Sequence, residues 1–353
     1  MLTKLTIENF KAHAHTELTL EPFTVLVGAN GVGKTSVLEA LHIVGQSLKK
    51  PLGLLMRGPW KPERVLRGAE QVGTLGVQSV SDDRQARSVV VRFTSDLSGS
   101  SGVELPELKQ RVRANDAFGE VPPTVRPISR LVLLRPSARA IAATGYHEPS
   151  GLRVEHDGSN TAAVLGSWKL DDAEAWRLKG VLAGLQRVVP QVQNLRVRSA
   201  PARTETAEGA VGANGFDLVV DFDDAKGVAA TSVSEGTLVA LAVLTLLHTN
   251  PQPQLLLLDD LGAELHPTGQ GELVRALLAI QADNPKLQIV ASTHSPYILD
   301  ALEPKNVRVF ARGKDGAARV RSLAEHPQAG HEGITTGQLW TMDPETWVLE
   351  GQP

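Results

Sequence analysis

Three short runs along the chain are apolar at almost every position: Phe23–Val27, Leu255–Leu258 and Leu287–Ala291. Runs this short, with no polar face, predict central strands covered on both sides. Helical spacing follows them. From Thr35, the residues Val37, Leu38, Leu41, Ile43, Val44 and Leu48 suit one buried helical face. Pro267–Ile280 reads as a helix, and Pro296–Leu302 as a short one. Alternating apolar strands and helices predict an α/β fold with a mostly parallel sheet.

A different pattern opens the chain. Leu2, Leu5 and Ile7 nearly alternate, and Glu17–Leu20 can return beside them as an antiparallel partner. Lys11–His15 is then the turn, with His13 and His15 expected to face solvent rather than to bind metal. Ser88–Phe93 and Leu131–Leu134 read as strands, whereas residues 51–80 are rich in Gly and Pro and resist assignment. Asp157–Asn160 resembles a cap before Ala162–Leu165. A helix is predicted over Asp171–Val189, with Trp176, Leu178, Val181, Leu182 and Leu185 on one face. Strands are expected at Val192–Val197 and Asp217–Phe222 with a mobile loop, Ala200–Asn214, between them. A helix is expected from Ser234 through Leu247, and two further strands at Asn306–Phe310 and Ala318–Val320.

Composition narrows the chemistry. With no cysteine, disulfides, thiolate metal sites and a cysteine nucleophile are excluded. A net charge of -3 gives no global basic field to attract nucleic acid. The longest strongly apolar stretch, Leu238–Leu247, is far short of a membrane span. The expectation is a soluble cytoplasmic protein without a membrane partner.

The candidate chemistry begins at Gly28-Ala-Asn30-Gly31-Val-Gly33-Lys34-Thr35-Ser36, between the first apolar run and its helix. Glycines there let backbone N–H groups turn inward, toward the positive end of the new helix. Lys34 can reach β- and γ-phosphates, and the Thr35 hydroxyl suits Mg²⁺. Asn30, Gly31, Gly33 and Ser36 complete the expected ATP cradle. The run Leu255–Leu258 ends in Asp259 and Asp260, an arrangement suited to holding Mg²⁺ through Asp259 and orienting the attacking water through Asp260. Ser292-Thr-His294-Ser-Pro296 leaves the third run on the same sheet edge, where His294 can hydrogen-bond a γ-phosphate. Ser234 and Gly236 open a helix and form a second candidate anion site.

These four segments, in this order, resemble the ABC-type ATPase heads of the RecF/SMC/OLD group. The opening Leu5-Thr-Ile-Glu-Asn-Phe-Lys11 is similar to that group's first strand. Ser234-Glu-Gly236-Thr, Leu265-His-Pro267 and Thr293-His294-Ser-Pro296 resemble most the OLD-like, AAA_21 type. The resemblance implies a single P-loop NTPase head over 1–353. Its N-terminal lobe is expected at 1–100, an inserted helical part at 101–215 and a C-terminal lobe at 216–353. It further implies Mg²⁺-dependent ATP hydrolysis by a homodimer, Ser234 and Gly236 of one copy capping the phosphates held by the other. Lys11 is expected near the phosphates, and Gln71 or Gln78 as a further Mg²⁺-linked residue.

One departure is Asp260, where Asp-Glu is usual. Aspartate is shorter, so slow hydrolysis is expected, or at the limit a nucleotide switch without turnover; Glu264 is assigned a structural role. Fewer than sixty residues follow His294, too few for the Toprim nuclease domain of OLD proteins. Trp340 and Trp347 in this tail are expected as packing anchors. Stand-alone heads of this kind resemble the ATPase subunits of two-component antiphage systems, which implies a separate effector, nuclease or toxin. The alternative is a RecF-like DNA-binding ATPase of repair, for which Arg111, Arg113, Arg126, Arg130, Arg135, Arg139, Arg196, Arg198 and Arg203 are candidate contacts. The Leu-Ser-Gly-Gly-Gln signature of transporter subunits is absent.

Overall fold

The computed structural model describes residues 1–68, 72–80, 86–98, 100–122, 125–146, 154–203, 213–250, 252–263, 265–343 and 345–350. Its contacts divide the chain into two compact units. One comprises Met1–Leu133, Gln254–Leu261 and Asn284–Pro353, the other Leu134–Pro253 and Gly262–Asp283. Neither is contiguous in sequence, unlike the lobes expected from the chain order.

The first unit is built on two sheets. Strands β1 (Leu2–Phe10), β2 (His13–Thr19), β3 (Phe23–Gly28), β4 (Val72–Val80), β5 (Ala86–Thr94), β6 (Gly102–Leu105), β7 (Gln110–Arg113) and β8 (Leu131–Leu134) come first in the chain. All but β3 and β8 form an antiparallel sheet in the order β2-β1-β4-β5-β6-β7. Its inward residues alternate along each strand, as Leu75 and Val77 do on β4 and Val89, Val91 and Phe93 on β5. The β1–β2 turn is shorter than the sequence suggests. Phe10 pairs with His13, which leaves only Lys11 and Ala12 outside the strands. His13 is therefore a buried strand residue, and only His15 meets the expectation of solvent exposure.

The second unit carries β9 (Gly145–Tyr146), β10 (Val192–Arg203), β11 (Ala213–Phe222) and β12 (Val228–Ala229) in one antiparallel sheet. Strand β10 extends through Arg203, so only residues 204–212 of the expected loop lie outside the described residues. The helices Thr161–Leu170 and Ala175–Val188 pack on this sheet, and Glu235–Leu247 and Pro267–Asp283 pack in turn on Ala175–Val188. The helix predicted over 171–189 starts at Ala175, and Val181, Leu185 and Val188 are its buried apolar positions. Trp176 is 58% exposed and does not join that face. Its ring instead lies under the Arg177 guanidinium, 4.8 Å from the ring centroid.

The remaining strands return to the first unit: β13 (Leu255–Leu258), β14 (Gln288–Ser292), β15 (Val307–Arg312) and β16 (Ala318–Ser322). They form the second sheet, β16-β15-β3-β14-β13-β8, in which β15, β3, β14 and β13 run parallel. Strands β3, β13 and β14 are buried at every residue, as their all-apolar runs predict. Helix α1 (Lys34–Ser47) touches both sheets of the unit and is buried on most sides, through Val37, Leu38, Leu41, Ile43 and Val44. Trp340 and Trp347 are both buried, as expected of packing anchors. Parallel pairing puts the C-terminal ends of β3, β13 and β14 on one edge, and there the functional residues meet.

Candidate functional site

Gly28 leaves β3 with φ 138°, and a Cβ there would sit 2.3 Å from the Phe310 carbonyl oxygen. Only glycine permits the chain to pass this close to β15 and then turn. Gly33, with φ 113°, is the N-cap of α1. The helix has no side-chain cap and no acidic residue in its first turn. Its first N–H groups are left without intrahelical acceptors, at the positive end of the helix, which is the composition of an anion site. Lys34 is buried, and its ammonium donates to the carbonyls of Gly28 and Ala29, both at 2.8 Å. Burial pulls the Lys34 pKa down, while Asp260, Asp259 and Glu345 oppose that shift.

The acidic side of the site is held by an uninterrupted hydrogen-bond chain. Thr35 Oγ1 donates to Asp259 Oδ1 at 3.1 Å, and Ser292 Oγ donates to the same oxygen at 2.7 Å. The Asp260 N–H donates to Ser292 Oγ at 2.8 Å. Leu261 N–H donates to the Ser292 carbonyl at 2.7 Å, and Thr293 Oγ1 returns a bond to the Leu261 carbonyl at 2.9 Å. These bonds follow from the parallel pairing of Leu258 with Ala291, which carries the next residues of both strands out side by side. Asp260 sits in the left-handed region at φ 60°.

The result is a cleft of about 280 Å³ lined by Asn30, Gly31, Gly33, Lys34, Thr35, Ser36, Asp259, Asp260, Ser292 and His294. Every P-loop residue, both acids and the histidine expected from the sequence are therefore brought together. His294 is exposed, and its pKa is lowered by partial desolvation and by Lys34, against the pull of Asp260. Both effects favour the neutral imidazole. Thr35 and Asp259 supply hard oxygen donors side by side, the kind Mg²⁺ takes together with waters and phosphate oxygens. Among the described residues no group of three or more His, Asp or Glu forms a self-sufficient metal site.

Lys11 does not line the cleft. Its ammonium pairs with Glu39 on α1. Gln78 is exposed on β4, paired with Lys4 and Ser88. Gln71 and Glu264 lie outside the described residues. Ser234 and Gly236 belong to the second unit, where Ser234 caps the Glu235–Leu247 helix and its hydroxyl lies 2.7 Å from that of Thr237. Two contacts escaped sequence reasoning. Ser292 was visible only as part of a motif, its role set by strand pairing. Glu345 accepts the Ala29 N–H at 2.6 Å across a separation of 316 residues, which no local pattern reveals.

Comparison with known proteins agrees with this geometry. Residues 172–300 match the family described as "AAA domain, putative AbiEii toxin, Type IV TA system", and residues 1–87 match the "AAA ATPase domain" family. The DNA replication and repair protein RecF of Salmonella newport (strain SL254) is 36% identical over 105 residues, 30% of this chain and 27% of that protein. RecF of Salmonella paratyphi B (strain ATCC BAA-1250 / SPB7) is 35% identical over the same length. The match thus spans about a quarter of these curated relatives. Among solved structures, an SMC head bound to the C-winged helix domain of ScpA superimposes with TM-score 0.59 and 17% identity, over 91% of this chain and 97% of that one. The Smc head domain with a coiled coil and joint from Pyrococcus yayanosii gives TM-score 0.61 and 10% identity, over 97% and 98%. The fold is that of an ABC-type ATPase head, and the chain is similar to the RecF/SMC group. The match over residues 1–87 contains the P-loop, and the match over residues 172–300 contains Ser234, Gly236, Asp259, Asp260 and His294. No helix among the described residues is long and apolar enough to cross a membrane.

Proposed function

We propose that this head binds and hydrolyses Mg²⁺-ATP as a face-to-face homodimer and passes its nucleotide state to a separate effector in antiphage defence. The observation that carries the ATPase reading is the Thr35–Asp259–Ser292–Asp260 chain beside Lys34 and His294. In this reading the N–H groups of the loop beyond Ala29 and of the first turn of α1 hold the β-phosphate, and Lys34 leaves its loop carbonyls to meet the β- and γ-oxygens. Thr35 and Asp259 would hold Mg²⁺, which would neutralise charge on the phosphates. Asp260 orients the attacking water and accepts its proton, and neutral His294 donates to a γ-oxygen. Ser234 and Gly236 of one copy cap the phosphates held by the other.

The effector reading is supported by the family match over residues 172–300, whose description names a toxin and a type IV TA system. A second reading, a RecF-like ATPase of DNA repair, is supported by the RecF similarity. Steady-state ATP hydrolysis with and without duplex DNA, beside Lys34→Ala and Asp260→Asn, separates these. Turnover abolished in both variants is the expected result. Salt-sensitive stimulation by duplex DNA alone moves the assignment to the repair reading. ATP binding without turnover above the Lys34→Ala background removes hydrolysis and leaves an assembly switch.

A further inference from the structure

His13 is a buried titratable residue for which the ATPase roles above have no use. Its ring is fully enclosed. Nδ1 lies 2.9 Å from Thr16 Oγ1, and Nε2 lies 3.1 Å from the Gly33 carbonyl oxygen. A carbonyl only accepts, so Nε2 carries the proton, and Nδ1 accepts from the Thr16 hydroxyl. Neutral imidazole thus uses both nitrogens. Its neighbours keep it in place: the ring meets Phe310 edge to face at 6.3 Å. A Cβ on Gly33 would fall 2.7 Å from Nε2, so the glycine is what admits the imidazole beneath the loop.

The Gly33 carbonyl also accepts the Val37 N–H at 3.1 Å, the first hydrogen bond of α1. It therefore has one donor from its own helix and one from β2. The peptide joining Gly33 to Lys34 is planar, so fixing its oxygen fixes the opposite N–H. That N–H belongs to Lys34 and is among the first donors of α1, which the helix itself cannot satisfy.

We infer that His13 is a positioning residue of the phosphate loop: its Nε2–H holds the Gly33 carbonyl from below and so aims the Lys34 N–H into the phosphate cradle above. This rests on the ATP-binding reading. It gives β2 a share in nucleotide binding although the His13 side chain does not line the cleft.

Two amide substitutions test it. The amide nitrogen of His13→Gln superimposes on Nε2 and can reach Gly33, whereas that of His13→Asn superimposes on Nδ1 and cannot. Affinity for a fluorescent ATP analogue is measured on both and on wild type, with thermal melting as the folding control. Loss of one hydrogen bond predicts a roughly tenfold weaker affinity for His13→Asn, with His13→Gln within about threefold of wild type. Should either amide variant fail to fold, His13→Phe keeps the ring volume without the donor and carries the same tenfold expectation. Folded variants that lack the donor yet bind as wild type overturn the positioning role and leave the ATP reading standing. A folded wild type that binds no nucleotide overturns both.

Discussion

Ser292→Ala is the most informative single change to the acidic side of the cleft. Ser292 is 3% exposed, and its hydroxyl is shared between the Asp259 carboxylate at 2.7 Å and the Asp260 N–H at 2.8 Å. The substitution removes a charge-assisted bond that orients the cation ligand and leaves the Asp260 peptide without its acceptor. Hydrogen bonds to charged groups contribute about 1.5–3 kcal/mol. If that is lost from the aligned arrangement, turnover falls roughly 10- to 100-fold, at one decade per ~1.4 kcal/mol. The assay is ATP hydrolysis over a Mg²⁺ titration, with kcat and KM separated, beside ADP binding measured without Mg²⁺. The Mg²⁺ concentration for half-maximal rate should rise, while metal-free ADP binding stays unchanged, because the loop N–H groups and Lys34 do not contact Ser292. Ser292→Thr restores the hydroxyl and should recover most of the rate despite a small packing penalty. A folded Ser292→Ala protein with wild-type turnover and Mg²⁺ dependence would refute the reasoning.

Two further outcomes follow from buried or long-range groups. Burial lowers the His13 pKa from 6.5 to about 4, opposed by the Gly33 hydrogen bond and assisted by the Arg67 guanidinium. Because the folded pKa lies below the unfolded one, the stabilisation is complete above pH 6.5, is lost as pH falls toward 4, and amounts to about 3 kcal/mol. Urea midpoints across that window should fall more steeply for wild type than for His13→Gln, and parallel slopes would contradict the burial argument. Glu345 places a carboxylate on the Ala29 N–H and near Lys34. Glu345→Gln keeps an acceptor and removes a charge that opposes triphosphate, so ATP affinity by calorimetry should rise about threefold; a weaker affinity would show instead that the charge supports the loop.

How far the sequence disclosed this site follows the range of the interactions that build it. The strands β3, β13 and β14 were legible because a fully buried strand must be apolar throughout. Once they are taken as parallel, Lys34, Asp259 and His294 must leave on one edge. His13 was misread because its environment depends on register. Had the β1–β2 turn been as long as Lys11–His15, the imidazole would face water. The observed Phe10–His13 pairing instead carries it under the loop. Trp176 was misplaced for the opposite reason. Its own local spacing excludes it: five and nine residues before Val181 and Leu185, it falls on the opposite side of the helix, and Arg177 holds the place on the buried face. Glu345 and Ser292 act across 316 and 33 residues, and no periodicity encodes such pairs.

The Asp-Asp pair is itself explained by backbone geometry. At φ 60° Asp260 holds a conformation that costs most L-residues about 1–2 kcal/mol and that Asp and Asn tolerate best, through their short polar side chains. A glutamate here would gain a methylene of reach and lose that tolerance. The turn that requires this conformation is held by Ser292 through the Asp260 N–H and by the Leu261 N–H on the Ser292 carbonyl. The same two bonds keep Asp259 beside Thr35. The shorter acid is thus tied to the geometry of the cation ligand, and Asp260→Glu is not a simple restoration of the usual pair. Asp260→Asn is the cleaner probe of the water-orienting role, because it removes the charge and leaves the left-handed turn undisturbed.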